Sequence, residues 1–489
     1  MNIAPWTAGH LPGLREEEVA WHVLSFGAGA QAVEVRVPVL SPLQLQATAR
    51  RVREAAALHL KTLPVSRIVG IIDAAVARLL DPKDPFRREA ERLLPAVSGF
   101  DAGMVQLGLN GFLQSFRAPQ LHRFVAEDFA NPKVLDEFQP AVKGGAVRAF
   151  GPGVLLHSWA GNVPALPLWS LACGLLVKAG TLGKLPSAEP VFASLFARLL
   201  AEVHPPLADC MAIVWWKGGD AASAQAAIAE ADTVLAYGGK AAIEELRLQV
   251  PAGKRFLGYG HKVAFGLVAK AALDALRAPA TARLAAHDIV RYEQQGCYSP
   301  HQFYVERGGR VDPRGFAQYL AAELANLQQR FPRRALALEE AADLAAWRQS
   351  RELQAMAGNG AELLGAADAA WSVAYADAPQ PLAPTAGGRS ILVCAVDELD
   401  EAVPLVAPHA SFLQTAGIAA EPRELYRLAE RLGSVGVTRI AALGAMTSPE
   451  AGWHHDGRFN LVDLVRMVEI EAGAERAADA LAPYAQEWR

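Results

Sequence analysis

Cys297 stands in a segment of the sequence where a reactive nucleophile could act. It follows a glycine among polar residues in YEQQGCYSPHQF. The other three cysteines lie in or at the start of apolar runs, where a cysteine is usually inert packing material: Cys173 in LPLWSLACGLL, Cys210 in LADCMAIVWW and Cys394 in SILVCAV. A thiolate suits thioester exchange, because sulfur attacks an activated carbonyl readily and leaves again without strong acid assistance. A lone cysteine in a large chain is more often structural, so the accompanying residues must decide between the two roles.

Two other patterns suggest cofactor or metal binding but fail on context. Gly27-Ala28-Gly29 superficially matches a dinucleotide-binding glycine fingerprint. The strand pattern VEVRVP follows it, whereas the fingerprint needs a helix N-terminus directly after a strand, so these glycines are interpreted as turn residues. His454-His455-Asp456 offers metal-binding side chains, but adjacent histidines do not share a face of a helix or strand, and no metal is predicted.

Length and composition indicate a globular enzyme-sized protein. The 489 residues exceed what one hydrophobic core usually serves, so two large domains are expected, with or without a small appendage. Hydrophobic residues make up 52% and charged residues 20%, which argues against a disordered or fibrous chain. The formal net charge is −4 and no five like charges are consecutive, so neither nucleic acid nor an anionic membrane is predicted as a partner.

The expected location is the cytoplasm. The N-terminal segment has prolines and the acidic run Glu16-Glu17-Glu18 instead of the continuous apolar core of a secretory signal. The longest apolar stretch, Val163 to Val177, contains two prolines and is shorter than the ~20 residues of a membrane span. The four cysteines include no C-x-x-C pair, which fits a reducing compartment better than a disulfide framework or a zinc site.

Beyond residue 149 the pattern alternates between short β-rich runs and helical periodicity, which predicts parallel α/β architecture. Repeated right-handed crossovers would make this an open doubly wound sheet. The expected elements are strand Val154–His157, helix Ala165–Gly174, strand Leu175–Lys178, helix Val191–Val203, strand Ala212–Lys217, helix Ala221–Ala231 and strand Thr233–Tyr237.

The regions on either side have different patterns. The part before about residue 140 is predicted to be mainly helical, with helices Pro42–Lys61 and Val65–Leu80 after a strand Ala32–Val39. A second α/β region is expected to begin near Phe256. It should contain helices Pro313–Arg330 and Leu338–Ala357 and strands Phe303–Glu306, Trp371–Tyr375 and Ile391–Val396.

Five segments in a fixed order carry a family resemblance. They are GPGVLLHSWAGNVPALPLWSLACGLLVKAGTLGKLPSAEP, AYGGK, GYGHKVAF, QQGCYSPHQF and HHDGRFNLVDLVRMVEIE. Together they resemble the acyl-CoA reductase family of bacterial bioluminescence operons, a branch of the aldehyde dehydrogenase superfamily, over at least residues 149–471. The resemblance implies an aldehyde-dehydrogenase-like α/β fold with two doubly wound domains, a cleft between them and a small oligomerisation element.

The resemblance also implies a division of the chain. Residues 1–257 would form an NADPH-binding domain with a helical N-terminal part, and residues 258–446 a catalytic domain that carries Cys297. Residues 447–489 would complete the site and the oligomer contacts, together with a strand expected at Val142–Phe150. A homodimer or homotetramer is therefore expected.

The resemblance also implies roles for several residues. Asn162 resembles the amide that forms an oxyanion hole with the backbone N–H of the nucleophile, although an Asn beside a glycine is equally suited to a turn. Lys184 resembles the lysine that binds the adenosine ribose, and Gly238-Gly239 resembles the turn under the pyrophosphate. Each of these segments is also compatible with an ordinary strand-to-helix loop.

Two departures from ordinary aldehyde dehydrogenases bear on the reaction. Those enzymes have a glutamate, the base for deacylation by water, two residues before Gly-Gly-Lys; here Gly258 stands in its place before Gly260-His261-Lys262. An enzyme that keeps its acyl-cysteine for reduction should lack such a base, so reduction is favoured over aldehyde oxidation. Ser187 stands where NAD-preferring relatives often have a glutamate that would repel a 2′-phosphate, so NADPH is the predicted cofactor.

His261 has two interpretations. Imidazole titrates near neutrality, so His261 could donate a proton to the departing thiolate or the forming aldehyde oxygen. A structural or cofactor-contacting histidine fits equally well. Asp456, Arg458 and Asn460 fall in the family's C-terminal signature, where a role in shaping the site is expected.

The predicted function is NADPH-dependent reduction of an acyl thioester to a free aldehyde, a fatty aldehyde in the family, through an acyl-cysteine on Cys297. The acyl donor would be acyl-CoA or an acyl group on a partner acyl-protein synthetase. Two alternatives are a conventional aldehyde dehydrogenase and a non-catalytic scaffold that binds an acyl-activating ligase. Thiol reactivity separates the scaffold from the enzymes, because a scaffold does not need a reactive thiolate.

Overall fold

The N-terminal part, in a computed structural model that describes residues 5–27 and 32–482, combines a small sheet with five helices. The sheet has the order β1-β3-β2, with strands β1 Trp6–Thr7, β2 Ala20–Phe26 and β3 Val33–Val39. The helices are α1 Pro42–Ala55, α2 Val65–Leu80, α3 Pro85–Ser98, α4 Ala102–Gln114 and α5 Ala118–Asp128. The glycine-rich run predicted to be a turn falls partly on residues 28–31, which lie outside the described residues.

Local sequence signals explain the first two helices. Ser41 caps α1, because its hydroxyl accepts a hydrogen bond from the Gln44 backbone N–H while the Gln44 side chain accepts from the Ser41 N–H. The α-helix ends at Ala55, before the predicted end, and a π-turn continues it over Ala56–Leu60. Helix α2 has the predicted bounds because its buried apolar residues repeat with the helical period.

The first large sheet has five parallel strands in the order β10-β9-β6-β7-β8. Its strands are β6 Val154–Ser158, β7 Gly180–Lys184, β8 Met211–Val214, β9 Thr233–Tyr237 and β10 Arg255–Tyr259. The helices between them are α6 Pro167–Leu176, α7 Phe192–Val203, α8 Ala221–Glu230 and α9 Lys240–Gln249. Chain order runs outward from β6 in both directions, so the sheet is doubly wound with its switch point between β6 and β9.

The strand predicted at Leu175–Lys178 is wrong. Helix α6 continues to Leu176, and the strand begins only at Gly180. Lys178 takes up a left-handed conformation with φ 60°, which turns the chain between the two elements. The apolar run is buried throughout, and periodicity does not distinguish a buried helix from a buried strand.

The second large sheet has seven strands in the order β13-β14-β15-β12-β11-β16-β17, and only β13 is antiparallel to its neighbour. The strands are β11 Val263–Val268, β12 Pro300–Glu306, β13 Glu362–Leu364, β14 Ser372–Ala376, β15 Ser390–Val396, β16 Leu413–Ala419 and β17 Arg439–Ala442. The helices are α10 Arg277–Val290, α11 Pro313–Arg330, α12 Leu338–Met356, α13 Ala402–Val406 and α14 Pro422–Ser434. Strand β10, which contains the expected start of this region near Phe256, pairs instead with β9 of the first sheet.

A third sheet joins distant parts of the chain in the order β18-β5-β4. Its strands are β4 Gln139–Pro140, β5 Ala146–Phe150 and β18 Arg466–Ile470, and helix α15 follows at Ala472–Asp479. The strand predicted at Val142–Phe150 is shorter, because Gly144 and Gly145 have φ values of 85° and 76° and form a turn before β5. Pairing of β18 with β5 fastens the C-terminal segment to residues 146–150.

The two large sheets meet end to end. Strands β6, β9 and β10 of the first sheet point their carboxyl ends at the junction, and β11, β12 and β16 of the second begin there. The predicted α/β class with two doubly wound parallel sheets is confirmed. Among residues 5–27 and 32–482, no helix combines the length and apolar character that crossing a membrane requires.

Candidate active site

A cavity of about 950 Å³ lies where the two large sheets meet. The first sheet contributes Asn162 after β6 and Gly238 and Gly239 after β9. The second contributes His261 before β11 and Cys297 before β12. Five of the residues singled out in the sequence therefore line one cavity, although they come from segments far apart in the chain.

The loop that leads to Cys297 has an unusual backbone. Tyr292, Glu293 and Gln294 have φ values of 53°, 55° and 62°, so three consecutive non-glycine residues are left-handed. Each such residue costs about 1–2 kcal/mol relative to a right-handed conformation. Other contacts must hold this loop in place.

A buried ion pair holds the middle of this loop. Arg389, directly before β15, donates to both carboxylate oxygens of Glu293, with nitrogen-to-oxygen distances of 2.7 and 3.2 Å. The exposed fractions of the two side chains are 0% and 2%. Arg389 also donates to the Gln328 side chain at 2.7 Å and the Phe331 carbonyl at 2.8 Å. Burial nevertheless raises the pKa of Glu293, with Arg389 acting in the opposite direction.

Gln294, the next residue of this loop, is held by hydrogen bonds to the first residues of β12 and β15. The Gln294 amide donates to the carbonyls of Pro300 and Ser390, both at 2.8 Å. The Ser390 N–H donates in return to Gln294 Oε1 at 3.1 Å. These contacts place the residues before Cys297 against the amino ends of β12 and β15.

The Cys297 thiol is partly exposed and contacts one side chain through a hydrogen bond. Gln414, the second residue of β16, donates from Nε2 to Cys297 Sγ at 3.3 Å and to Asp456 Oδ1 at 2.6 Å. Burial, and then the negative charge of Asp456, raises the pKa of Cys297 to about 11. The thiol is therefore neutral at pH 7 in this state.

Asn162 reaches the loop before Cys297 directly. Its Nδ2 donates to the Gln295 carbonyl at 2.8 Å, two residues before Cys297. The preceding Gly161 packs against the loop after β7, where a Cβ would lie 2.9 Å from both the Ala188 Cβ and the Glu189 nitrogen. The glycine is needed for this close approach, which brings Asn162 into the cavity.

Two histidines lie close together on the second-sheet side. His261 is exposed to the cavity, and His301 in β12 is buried. Burial, and then the nearby His261, lowers the pKa of His301 to about 4. His301 Nδ1 lies 3.0 Å from the Thr385 hydroxyl oxygen and 3.1 Å from the Thr385 backbone nitrogen, so Thr385 holds the ring in place.

An aromatic stack forms another wall. Tyr237 and Tyr259 end β9 and β10, with ring centroids 5.0 Å apart, and His455 stacks on Tyr259 at 4.3 Å. Burial lowers the pKa of His455 to about 4. His454 contacts the Phe459 ring edge-on instead. Within the described ranges no group of three or more His, Cys, Asp or Glu side chains is arranged to hold a metal.

The remaining two predicted cofactor residues lie beside the cavity and not in its lining. Lys184 ends β7, with Nζ 5.8 Å from the Trp216 ring centroid, and burial lowers its pKa. Ser187 accepts a hydrogen bond from the Trp215 indole N–H at 3.1 Å. Its neighbour Ala188 does reach the cavity.

The position of Gly258 differs from what the sequence suggested. It does not belong to the cavity lining, and a Cβ there would lie 2.9 Å from side-chain atoms of both Ile243 and Phe256. Its φ is not in the left-handed region, so close packing is the reason for glycine. A glutamate at this position would be directed against these side chains, so the comparison with a catalytic glutamate does not extend to geometry.

The carboxylates that do line the described cavity are both ion-paired. Glu293 pairs with Arg389, and Glu340 pairs with Arg334 and accepts from the Ala337 N–H at 2.8 Å. An acid group held in this way is a poor acceptor for a proton from water. The cavity has no evident base for hydrolysis among these residues.

Sequence reasoning missed most of these supporting residues. Gln414 is a polar residue within the otherwise apolar strand pattern FLQTAGIA, and that contrast was the available signal, whereas His301 lies in the polar segment SPHQF and had no such contrast. Glu293 and Arg389 are 96 residues apart, and nothing local links them. Asp456 was noted without a contact partner, which the structure supplies in Gln414.

Known proteins are similar to this chain in sequence and in fold. The family model described as acyl-CoA reductase (LuxC) matches residues 60–467. The long-chain acyl-protein thioester reductase of Vibrio harveyi is 24% identical over 424 residues, covering 84% of each chain. That of Photorhabdus laumondii subsp. laumondii is 25% identical over 429 residues, covering 86% of this chain and 85% of the relative.

The similar solved structures are aldehyde dehydrogenases. The enzyme KauB from Pseudomonas aeruginosa has a TM-score of 0.73 at 15% identity, covering 96% of this chain and 97% of that one. Lactaldehyde dehydrogenase from Escherichia coli has a TM-score of 0.69 at 14% identity, covering 96% and 99%. At these identities the likeness shows the fold, and the predicted aldehyde-dehydrogenase-like architecture is confirmed.

The Glu293–Arg389 pair generates a stability prediction. Arg389→Met leaves a buried carboxylate without its partner, and we expect the protein to lose about 3–5 kcal/mol of stability. Lys143→Met removes the partner of Glu469 in an exposed pair and should cost much less stability, because solvent screens that pair. Thermal unfolding followed by circular dichroism compares the two.

A double variant separates stability from loop position. Glu293→Leu combined with Arg389→Met should regain much of the lost stability, because a buried ion pair is often replaceable by apolar side chains. Activity should stay low, because the strained loop has lost its anchor. Equal destabilisation by Arg389→Met and Lys143→Met would contradict the assignment.

Proposed function

We propose that this chain, which belongs to the acyl-CoA reductase (LuxC) family, reduces an acyl thioester to a free aldehyde through an acyl-cysteine on Cys297. The observation that carries the proposal is the position of Cys297. Its thiol is the one cysteine sulfur that lines the cavity between the sheets, while Cys173, Cys210 and Cys394 are buried in the cores.

Cys297 Sγ attacks the thioester carbonyl, and the original thiolate leaves as the acyl-cysteine forms. The oxyanion of the tetrahedral intermediate needs hydrogen-bond donors in fixed positions. Asn162 is suited to this role because its amide lies at the Cys297 loop, where one Nδ2 hydrogen is bound to the Gln295 carbonyl and the second is free to meet an oxyanion. The Cys297 N–H would be the second donor.

An apolar wall of the cavity suits an acyl chain. Val97, Phe100, Val163 and Leu166 line it together with Leu336. Burial of methylene groups against such side chains contributes about 0.8 kcal/mol for each CH₂. We propose that the acyl chain lies along this wall, with its thioester at Cys297.

The acyl-cysteine should be hydrolysed slowly. Water in the cavity has no free carboxylate beside it among the described lining residues, because Glu293 and Glu340 are both ion-paired. His261 is the exposed imidazole of the site and is our candidate to supply the proton that aldehyde formation consumes. Conventional aldehyde oxidation, which needs a hydrolytic base, is the less favoured alternative.

The residues at the carboxyl edge of the first sheet fit NADPH. Gly239 precedes α9 and has open space around its Cα, so a pyrophosphate could approach the turn and the N-terminus of the helix. Lys184 and Ser187 would hold the adenosine ribose and its 2′-phosphate. When bound, a reduced nicotinamide supplies the hydride that the thioester carbon accepts.

Ser187 is well prepared to donate to a phosphate. Its oxygen already accepts from the Trp215 indole, which leaves the hydroxyl hydrogen for another acceptor. Glu189, the nearest carboxylate in this loop, is turned inward and accepts from the Val191 and Phe192 N–H groups at the start of α7. No negative charge therefore faces the expected 2′-phosphate from this loop.

The proposal also covers the source of the acyl group, self-association and location. The curated relatives are named acyl-protein thioester reductases, so we propose that the donor is an acyl group on a partner acyl-protein synthetase or on CoA. Self-association is proposed through the third sheet, where β18 has a free edge and Val142 and Met467 are exposed. Free thiols at all four cysteines fit a cytoplasmic location.

A non-catalytic scaffold would not need a reactive thiol at Cys297. A scaffold that only binds an acyl-activating ligase gains nothing from a strained loop and a cavity at one cysteine. We therefore favour the enzyme.

Cys297→Ala should abolish both acyl labelling and aldehyde formation. Incubation with a radiolabelled acyl thioester in the absence of NADPH should leave hydroxylamine-sensitive label on the wild-type protein, and that label should persist because hydrolysis is slow. The matched variants Cys173→Ala, Cys210→Ala and Cys394→Ala should keep the label. Labelling of Cys297→Ala at the wild-type level would remove the nucleophile assignment.

Acyl-enzyme formation should become faster as the pH rises. Because the Cys297 pKa is raised to about 11, the thiolate fraction grows about tenfold for each pH unit between 7 and 9. Rapid-quench measurement of the labelling rate at low acyl-CoA concentration tests this slope. A rate that is constant above pH 7 would mean that the thiol ionises in a different environment once substrate is bound.

Ser187→Glu should shift cofactor preference towards NADH. The new carboxylate repels the 2′-phosphate, and a repulsion of about 1.4 kcal/mol would raise the KM for NADPH roughly tenfold with little effect on kcat. Ser187→Ala, which adds no charge, is the matched control in a steady-state assay. Equal use of NADH and NADPH by the wild-type enzyme would contradict the serine argument and leave the reductase assignment intact.

A further inference from the structure

We infer that Gln414 and Asp456 are positioning residues for the nucleophile: Gln414 directs one amide hydrogen at Cys297 Sγ, and Asp456 fixes the amide in that orientation. The inference rests on the proposed function only in giving Cys297 the nucleophile's role. Neither residue lines the cavity, so both act from behind the sulfur.

The hydrogen-bond pattern leaves Gln414 one orientation. Nε2 has two hydrogens, which go to Cys297 Sγ at 3.3 Å and Asp456 Oδ1 at 2.6 Å. Oε1 accepts from the Thr415 hydroxyl at 3.4 Å. Exchanging the amide oxygen and nitrogen would set Oε1 against a carboxylate, which cannot donate. The Asp456 charge therefore decides which end of the amide meets the sulfur.

The surroundings confine both side chains. Gln414 is the second residue of β16 in the second sheet and has no exposed surface. Asp456 has a φ of 54°, a left-handed conformation that aspartate adopts more often than most residues other than glycine. Lys262 Nζ lies 3.9 Å from the other carboxylate oxygen, Oδ2, and supplies a counter-charge from the start of β11.

The charges around Cys297 act in opposite directions. Asp456 disfavours the thiolate, whereas the Gln414 hydrogen bond and the positive charge of Arg439 favour it. The other titratable neighbours are the phenols Tyr237 and Tyr298, whose burial raises their pKa values well above the usual range, and His455, whose pKa burial lowers to about 4. All three are uncharged at neutral pH, so Asp456 and Arg439 are the charges that act on Cys297, and Lys262 lies on the far side of Asp456 as its counter-charge.

This arrangement predicts opposite effects from two conservative changes. Asp456→Asn removes the negative charge and should make Cys297 more acidic. Gln414→Met removes the donor while keeping a similar volume and should make Cys297 less acidic. A residue that only packs against the site would not give shifts of opposite sign.

Alkylation by iodoacetamide measures these shifts on the full-length protein without substrate or cofactor. For Asp456→Asn, a fall of about one unit in the thiol pKa raises the thiolate fraction tenfold and lowers its intrinsic nucleophilicity about threefold, so the rate at pH 8 should rise roughly threefold. Gln414→Met should lower the rate, and the pH profile should move upward. Cys297→Ser gives the background from the other cysteines.

Asp463→Asn is the matched control, because Asp463 lies in the same C-terminal segment and does not act on Cys297. Its alkylation profile should equal that of the wild type. Unchanged profiles in both test variants, or shifts in the same direction, would overturn the inference. If Gln414→Met does not fold, as judged by circular dichroism, the direction of the Asp456→Asn shift decides alone.

The same experiment separates this inference from the proposed function. Wild-type alkylation at Cys297 together with absent acyl labelling would contradict the reductase mechanism and leave the positioning result valid. Normal acyl labelling together with unshifted alkylation profiles would contradict the positioning inference and leave the reductase mechanism valid.

Discussion

Arg389 and Glu293 meet in the interior with almost no exposed surface, and the shape of the loop that leads to Cys297 depends on that contact. Each residue is itself left-handed, with φ values of 64° and 55°. A strained backbone persists only where surrounding contacts determine it, and here an arginine from the start of β15 supplies several of them. The position of the Cys297 sulfur thus depends on Arg389, a residue almost one hundred positions further along the chain.

Because the two sheets meet end to end, the cavity is lined by the carboxyl edge of one sheet and the amino edge of the other. Parallel strands leave their loops at the carboxyl edge open for ligands, and the first sheet uses this edge for Asn162 and the Gly238-Gly239 turn. The second sheet presents its amino edge, where chains enter the core and side chains are anchored by strand pairing. Cys297, which Gln414 contacts from the second sheet, therefore faces the loops of the first sheet across one cavity.

The sequence predicted elements best where a single helical period or a cap controlled them. Helices Val65–Leu80 and Pro313–Arg330 have the predicted bounds because their apolar stripes and polar ends coincide. The segment Leu175–Lys178 was assigned wrongly because it is apolar on every side. Cys297 was singled out from its polar neighbours, and the structure places it in the cavity lining, while its role as nucleophile stays a prediction. The contacts of Gln414 and Arg389 depend on strand order in the second sheet, which no local pattern encodes.

A neutral resting thiol has a consequence for the lifetime of the protein. Peroxides and other electrophiles attack the thiolate, and the first oxidation product, a sulfenic acid, proceeds to forms that cells do not readily repair. With its pKa raised to about 11, Cys297 exposes very little thiolate between turnovers. Burial and the charge of Asp456 thus protect the sulfur chemically in the resting protein. Under the proposed mechanism, damage should concentrate in the periods when the thiol is activated.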